Sequence, residues 1–346
     1  MKAAPSLTPA LDGVRGLAFL TVLLSHCNDY TSRPLFLSDG QVGVWLFFVL
    51  SSFLLARPWF EDPAPLRSPA TWLRYLVRRL LRIYPLFLLY LVPLWLVAHV
   101  PLSKCLRILV LDTVHGVDWS LFVEFRFYLL LPVLMLPLAL GLGRRLHLAF
   151  LAVLILLGLL AFPFWRPHHT WLWAGLPVSG WTGNAWFLSY LGCFLVGMVA
   201  AAFAAPAAAA PGRARHWGDF ATLLGLASLL MIPLARQYTD WGAATDYAVF
   251  AHLWFPFSAL FALWICLLCR HGGAASRLLS LRPLRFLGAI SYPGYLSHVF
   301  VLHAFKPLLP HGNLVFVLCS IGATLLCSWL LHVTVEKPLY RLRPAH

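Results

Sequence analysis

Apolar runs long enough to cross a hydrocarbon core recur about ten times along this chain, at about 10–28, 41–58, 84–101, 119–141, 147–165, 183–205, 217–235, 247–269, 287–309 and 313–335. Inside lipid, backbone N–H and C=O groups must pair within a helix or around a closed barrel. The alternating strands of about ten residues that build a barrel are absent. The expected fold is therefore all-α: one polytopic transmembrane helical bundle over residues 1–346, with about ten spans and no fused soluble domain. Composition agrees. Only 11% of residues are charged, against about 25% in ordinary soluble proteins, which is too few to clothe a water-facing surface. The first run contains Asp12 and Arg15, and no small-residue cleavage signal follows it, so it is expected to stay as a span.

The formal net charge is +14. In a soluble chain that charge would suggest nucleic acid. Here its distribution instead implies a lipid bilayer and no nucleic-acid partner. Alternate connecting segments hold eighteen and six basic residues. The richer set runs from Lys2 through Arg57, Arg67, Arg74, Arg78, Arg79 and Arg82 to Arg144, Arg145, Arg213 and Arg215, then Arg270, Arg277, Arg282, Arg285, Lys337, Arg341 and Arg343. The poorer set is Arg33, Lys104, Arg107, Arg166, Arg236 and Lys306, offset by six aspartates. The positive-inside rule then places both termini in the cytoplasm. The longest and most basic cytoplasmic connection is expected at about 59–83.

Several polar side chains sit where lipid would penalise them. Arg15 and His26 share the first run, and a charge at the bilayer centre costs about 2.5–3.5 kcal/mol on insertion scales. Eleven positions apart, they stand about three turns and ~16 Å from one another on one helix face. Arg15 could be a snorkelling anchor paired with Asp12, and His26 a packing hydrogen bonder, as readily as either could be functional. Glu124 lies just inside the fourth run, and Arg126, two residues on, faces elsewhere, so its carboxylate needs a partner from another helix. Arg74, Arg78 and Arg82 recur every fourth residue, with Arg79 widening the stripe. Such a stripe suits either anionic lipid headgroups or a clamp on phosphate. His298 and His303 lie in the ninth run, and Glu336 closes the tenth. No metal is expected: Cys266 and Cys269 lack further ligands, and His168–His169 is only a minor candidate.

Together these residues resemble the acyltransferase-3 family of membrane O-acyltransferases. The resemblance is spread over nearly the whole chain. It runs through Leu11-Asp12-Gly13-Val14-Arg15-Gly16 to Ser25-His26, then Gly43–Leu54, then Arg79-Leu80-Leu81-Arg82-Ile83-Tyr84-Pro85. It continues with Trp119-Ser120-Leu121, Glu124, Phe127 and Tyr128, then Ser291-Tyr292 with Tyr295-Leu296-Ser297-His298, and ends at Glu336-Lys337-Pro338-Leu339. Departures include Trp45 where the family usually has Asp, Phe125 where a second Glu is common, and Ser297 where Trp is usual.

The resemblance implies transfer of an acyl group, acetyl above all, from acyl-coenzyme A to a hydroxyl of a carbohydrate or glycolipid acceptor, in a multi-pass protein of a bacterial cytoplasmic membrane. It implies His26 as base or acyl carrier, Glu124 orienting His26 or the acceptor, and Arg15, Arg78, Arg79 and Arg82 on the donor's phosphates. Ser51, Trp119, Ser120, Tyr295 and His298 become candidate substrate-binding positions. The rival reading is a polytopic transporter of a small polar substrate, because intramembrane Arg, Glu and His also mark transport pathways.

Overall fold

A computed structural model describes residues 9–28, 40–161, 171–173, 176–178, 183–204, 215–238, 254–308 and 314–341. Lys2, Arg33, Arg166, Arg213, Arg343 and the His168–His169 pair lie outside the described residues. The chain is helical, as backbone self-satisfaction in lipid requires. The first half carries α1 (Pro9–Asn28), α2 (Gln41–Glu61), α3 (Pro69–Leu96), α4 (Leu102–Leu109), α5 (Trp119–Leu134), α6 (Leu136–Ala139) and α7 (Gly143–Ala161). A small antiparallel hairpin follows, β1 (Trp171–Trp173) with β2 (Leu176–Val178). The second half carries α8 (Gly183–Ala204), α9 (Arg215–Tyr238), α10 (Trp254–His271), α11 (Ala274–Leu279), α12 (Arg282–Ala289), α13 (Ser291–Phe305) and α14 (Leu314–Leu331). A π-helical turn, His332–Glu336, then leads into α15 (Lys337–Tyr340).

A helix stands on each of the ten apolar runs, but the boundaries differ from the sequence expectation. Among the described residues, five helical segments are long and apolar enough to cross a membrane: Pro9–Asn28, Gln41–Glu61, Pro69–Leu96, Gly116–Ala139 and Leu314–Tyr340. Tyr190–Ala204 and Phe255–His271 are shorter apolar helices. The basic segment expected as part of a connection is instead the opening half of α3. Ser68 precedes it in extended conformation and Pro69 starts the helix, where a missing N–H costs nothing. The ninth run divides at Ile290 between α12 and α13.

Apolar side chains both fill the interior and cover the outside. Trp45, Phe53, Phe122, Phe127, Phe194 and Phe261 are fully buried. Leu88, Leu89, Val92, Trp95 and Leu96 along α3 are exposed, as are Leu318, Leu326, Trp329 and Leu330 on α14. Apolar patches of that extent mark contact with something other than water. They fit an integral membrane protein whose outer face meets lipid tails.

Close backbone approach fixes the position of α1. The helix packs on α2, α11, α12 and α13. A Cβ added at Gly13 would stand 1.9 Å from the Leu279 carbonyl oxygen, and one at Gly288 would stand 2.0 Å from that of Asp12. A Cβ at Gly16 would likewise meet the Leu284 carbonyl at 2.3 Å. The glycines flanking Arg15 therefore let α1 lie backbone to backbone against α11 and α12. Without them the first helix, and both polar residues it carries, would be pushed outward.

Candidate active site

The polar residues of the interior form two groups. One is built of neutral rings and hydroxyls around His26. The α1–α13 packing brings His26 against His298, with ring centroids 4.9 Å apart and planes inclined at 45°. His298 is fully buried. Its Nδ1 lies 2.7 Å from the Tyr295 carbonyl oxygen and 3.2 Å from that of Gly294. Carbonyls only accept, so Nδ1 carries the hydrogen and Nε2 carries the lone pair. Nε2 has no hydrogen-bond partner among the described residues.

Tyr295 continues this group. Its ring centroid stands 5.7 Å from that of His298. Its hydroxyl accepts from Ser120 Oγ at 2.7 Å and donates to the Val117 carbonyl at 2.9 Å. Trp119 and Ser120 open α5 directly after a 3-10 turn, Gly116–Asp118, in which Asp118 Oδ1 takes the His115 backbone N–H at 2.5 Å and closes a capping box. Trp119 packs edge-on to Phe48 and tilted over Tyr190, with centroids at 6.2 and 5.1 Å. His115, outside the spans, has its pKa lowered by burial and by the ammonium of Lys104, whose Nζ stands 3.3 Å from the ring.

The second group is charged. Glu124 Oε1 accepts from Ser51 Oγ of α2 at 2.7 Å and from the Tyr128 hydroxyl, one turn along its own helix, at 2.5 Å. Arg79 lies over two rings, its Cζ 5.8 Å from the centre of Tyr75 and 5.7 Å from that of Tyr128, within cation–π range. Its Nε is buried and has no hydrogen-bond partner among the described residues. Arg82 lies in the fields of Tyr128, Tyr340, Glu124 and Glu336. Arg15 is within electrostatic reach of Arg82, Asp12, Glu124 and Tyr128. Its ion pair with Asp12 is long, at 4.0 Å.

Glu336 repeats the design of Glu124. It is buried, takes His332 Nδ1 on Oε2 at 2.7 Å, and accepts the Tyr340 hydroxyl on Oε1. Both acids thus bond a tyrosine four residues later, the spacing that places side chains on one helix face. The acids take Ser, Tyr and His donors, and among the described residues Arg79 and Arg82 make no short ion pair with them. Half-buried guanidinium forks with unused donors match an anionic ligand, above all phosphate.

The structure therefore gathers Arg15, Arg79, Arg82, Glu124 and Ser51 on one side, and His26, His298, Tyr295, Ser120 and Trp119 on the other. Glu124, which the resemblance gave the task of orienting His26 or the acceptor, sends its hydrogen bonds to Ser51 and Tyr128 and none to His26. The ring against His26 is His298. Arg78 turns back along α3, donating from Nε to the Arg74 carbonyl at 3.3 Å. Arg126 lies over the Phe122 ring, 3.9 Å from its centre, in keeping with the expectation that it does not pair with Glu124. Among the described residues no group of three His, Cys, Asp or Glu side chains is placed to hold a metal.

Sequence reasoning did not assign Tyr75, Tyr128, Tyr292, Tyr340 or Glu336 to the site. The i,i+4 Glu–Tyr spacing could have found two of these tyrosines. Tyr75 and Tyr292 act across helices, Tyr292 by donating to the Ile83 carbonyl at 2.7 Å.

Comparison with known proteins follows the same outline. A Bacillus subtilis (strain 168) protein described as a candidate peptidoglycan O-acetyltransferase is 25% identical over 374 aligned residues, covering 96% of this chain and 54% of its own. A Staphylococcus aureus (strain COL) protein described as a candidate O-acetyltransferase is 24% identical over 186 aligned residues, covering 44% of this chain and 29% of its own. The chain thus spans about half the length of the first relative and less than a third of the second. No solved structure matches. The family model for the acyltransferase domain matches residues 8–333, and the chain belongs to the acyltransferase-3 family.

Proposed function

We propose that this protein is a multi-pass membrane O-acyltransferase that moves an acetyl group from acetyl-coenzyme A to a hydroxyl of a cell-envelope carbohydrate. The observation that carries the reading is the division of the interior between a guanidinium cluster with unused donors and an imidazole pair, each with one member on α1. A donor with a phosphate tail and a thioester at the end of a long arm matches that division. Arg79, Arg82 and Arg15 hold the phosphates, and the arm reaches toward His26, about three helical turns from Arg15. Arg78 adds charge at the entrance. Family membership and the O-acetyltransferase descriptions of the relatives support the reaction class. The peptidoglycan named for the Bacillus subtilis relative supports a carbohydrate acceptor.

A thioester is already activated, whereas an alcohol attacks slowly until a base takes its proton. An imidazole titrates near ~6.5 and suits that task. His26 removes the hydroxyl proton as oxygen attacks the thioester carbonyl, then returns it to the departing coenzyme A sulfur. Trp119 offers an aromatic face for the acceptor, and Ser120 with Tyr295 borders the same end. The charge alternation supports about ten spans with both termini in the cytoplasm, so the guanidinium cluster faces the coenzyme A pool and His26 lies toward the outer half.

The test is a reconstitution in lipid nanodiscs with radiolabelled acetyl-coenzyme A and a muropeptide or envelope polysaccharide acceptor. Acetylated product is expected with the native protein. His26→Ala is expected to bind donor and give no product. Movement of a small solute across proteoliposomes without any covalent product would replace the enzyme reading with transport.

A further inference from the structure

His298 has no part in the proton transfer just described, yet it is the most constrained polar group beside His26. It is fully buried, and its Nδ1–H is tied to the Tyr295 and Gly294 carbonyls on its own helix. That tether fixes the ring plane and the tautomer. It leaves an acceptor at Nε2 that no described residue satisfies. A buried acceptor without a partner is costly to keep, and this one stands beside the ring that does the chemistry. The His26 ring stands 4.9 Å away, centre to centre. Two imidazoles joined by an N–H···N bond have centres on the order of 5 Å apart, so reorienting His26 within its place makes that bond.

We infer that His298 is a positioning residue whose Nε2 accepts the N–H of His26 during acyl transfer, setting the tautomer and orientation of the base. The inference rests on the acyltransferase reading above. In the transfer step the acceptor hydroxyl gives its proton to the unprotonated nitrogen of His26 while oxygen forms its bond to the acyl carbon. His26 is then an imidazolium whose second N–H points at His298 Nε2. As the C–S bond breaks, the proton passes from His26 to the coenzyme A sulfur, and His298 keeps its own hydrogen on Nδ1 throughout. A neutral imidazole with a fixed tautomer thus does the task that a carboxylate does in a Ser-His-Asp triad. That suits a site in lipid, where a third charge would be expensive. The Tyr295 hydroxyl, bonded to Ser120 and Val117, stiffens the helix turn that supplies the tethering carbonyls.

Two substitutions separate this role from packing. His298→Asn keeps a donor near Nδ1 for the Tyr295 carbonyl but loses the acceptor at Nε2. His298→Gln carries an amide oxygen out to about the Nε2 position. Both are to be assayed in nanodiscs for kcat, donor KM and thermal unfolding beside native protein. The expected result is a fall in kcat of on the order of 10²-fold for His298→Asn, with donor KM unchanged, and recovery to within about tenfold of native in His298→Gln. Equal activity of His298→Asn and native protein would overturn the inference. So would a His298→Gln as inactive as His298→Asn while melting at the native temperature. If the native protein itself makes no acylated product, the acyltransferase reading has failed, and the two failures are told apart by that control.

Discussion

The two halves of the interior solve opposite problems of polarity in lipid. Around Glu124 and Glu336 acids and guanidinium groups gather, and each acid accepts short hydrogen bonds, from Ser51 and Tyr128 or from His332 and Tyr340. Around His26 the groups are imidazoles and hydroxyls, and His298 Nε2 is a buried acceptor without a partner among the described residues. The charged half leaves donors open and suits the holding of an anion. The neutral half leaves an acceptor open beside a titratable ring and suits the movement of a proton. Binding and chemistry are thereby kept apart, with α1 giving Arg15 to one half and His26 to the other: a change in one half is expected to alter KM and a change in the other kcat.

The largest effect is expected from His26→Ala. It removes the base and lowers kcat by about 10²–10⁴-fold, while calorimetric titration with coenzyme A still shows binding. Loss of coenzyme A affinity in that variant would break the division. Next comes the double substitution Arg79→Ala with Arg82→Ala. Hydrogen bonds to charged groups contribute about 1.5–3 kcal/mol each, so donor KM is expected to rise on the order of 10²-fold or more with a smaller change in kcat. A salt titration sharpens the point, since the native protein's donor affinity should fall with ionic strength more steeply than the variant's.

A third prediction addresses the element that joins the halves. Gly13→Val forces a side chain into the Leu279 carbonyl, and overpacking of this kind costs about 1–3 kcal/mol. A lower melting temperature, with donor KM and kcat both impaired, is expected because Arg15 and His26 move together. If Gly13→Val leaves both constants native, the close approach of α1 does not position the site. The smallest effect is expected from Arg74→Ala. Arg74 is exposed at the opening of α3, so stability should change by about 0.5 kcal/mol or less. A fall in donor affinity as large as that of the Arg79 and Arg82 pair would extend the clamp along the whole stripe.

Much of this was legible in the sequence because lipid leaves few choices. Runs of apolar residues had to be helices, and charged residues within them had to face inward. Arg15 and His26 could be placed on one face by helical arithmetic alone, and so could the pairing of Asp12 with Arg15. That Glu124 needs a partner from another helix followed from the poor placement of Arg126. Helix ends were less legible, because an amphipathic segment such as 69–83 continues a helix as readily as it forms a connection. The tyrosines were overlooked because a phenol is ordinary on an apolar helix, and its polar end matters only when an acid or a guanidinium lies beside it.

The sequence by itself determined that the chain is a bundle of helices in a bilayer, which residues are too costly there to be idle, and which family motifs it shares. The tertiary structure decided who meets whom. It set His298 rather than Glu124 against His26, committed both acids to tyrosines, and turned Arg79 and Arg82 inward while Arg78 bends back on its own helix. Helical periodicity fixes the direction of a side chain about its own axis. Which neighbour stands in that direction depends on how helices distant in sequence cross, and here those crossings are set by glycines that let α1 touch α11 and α12 backbone to backbone.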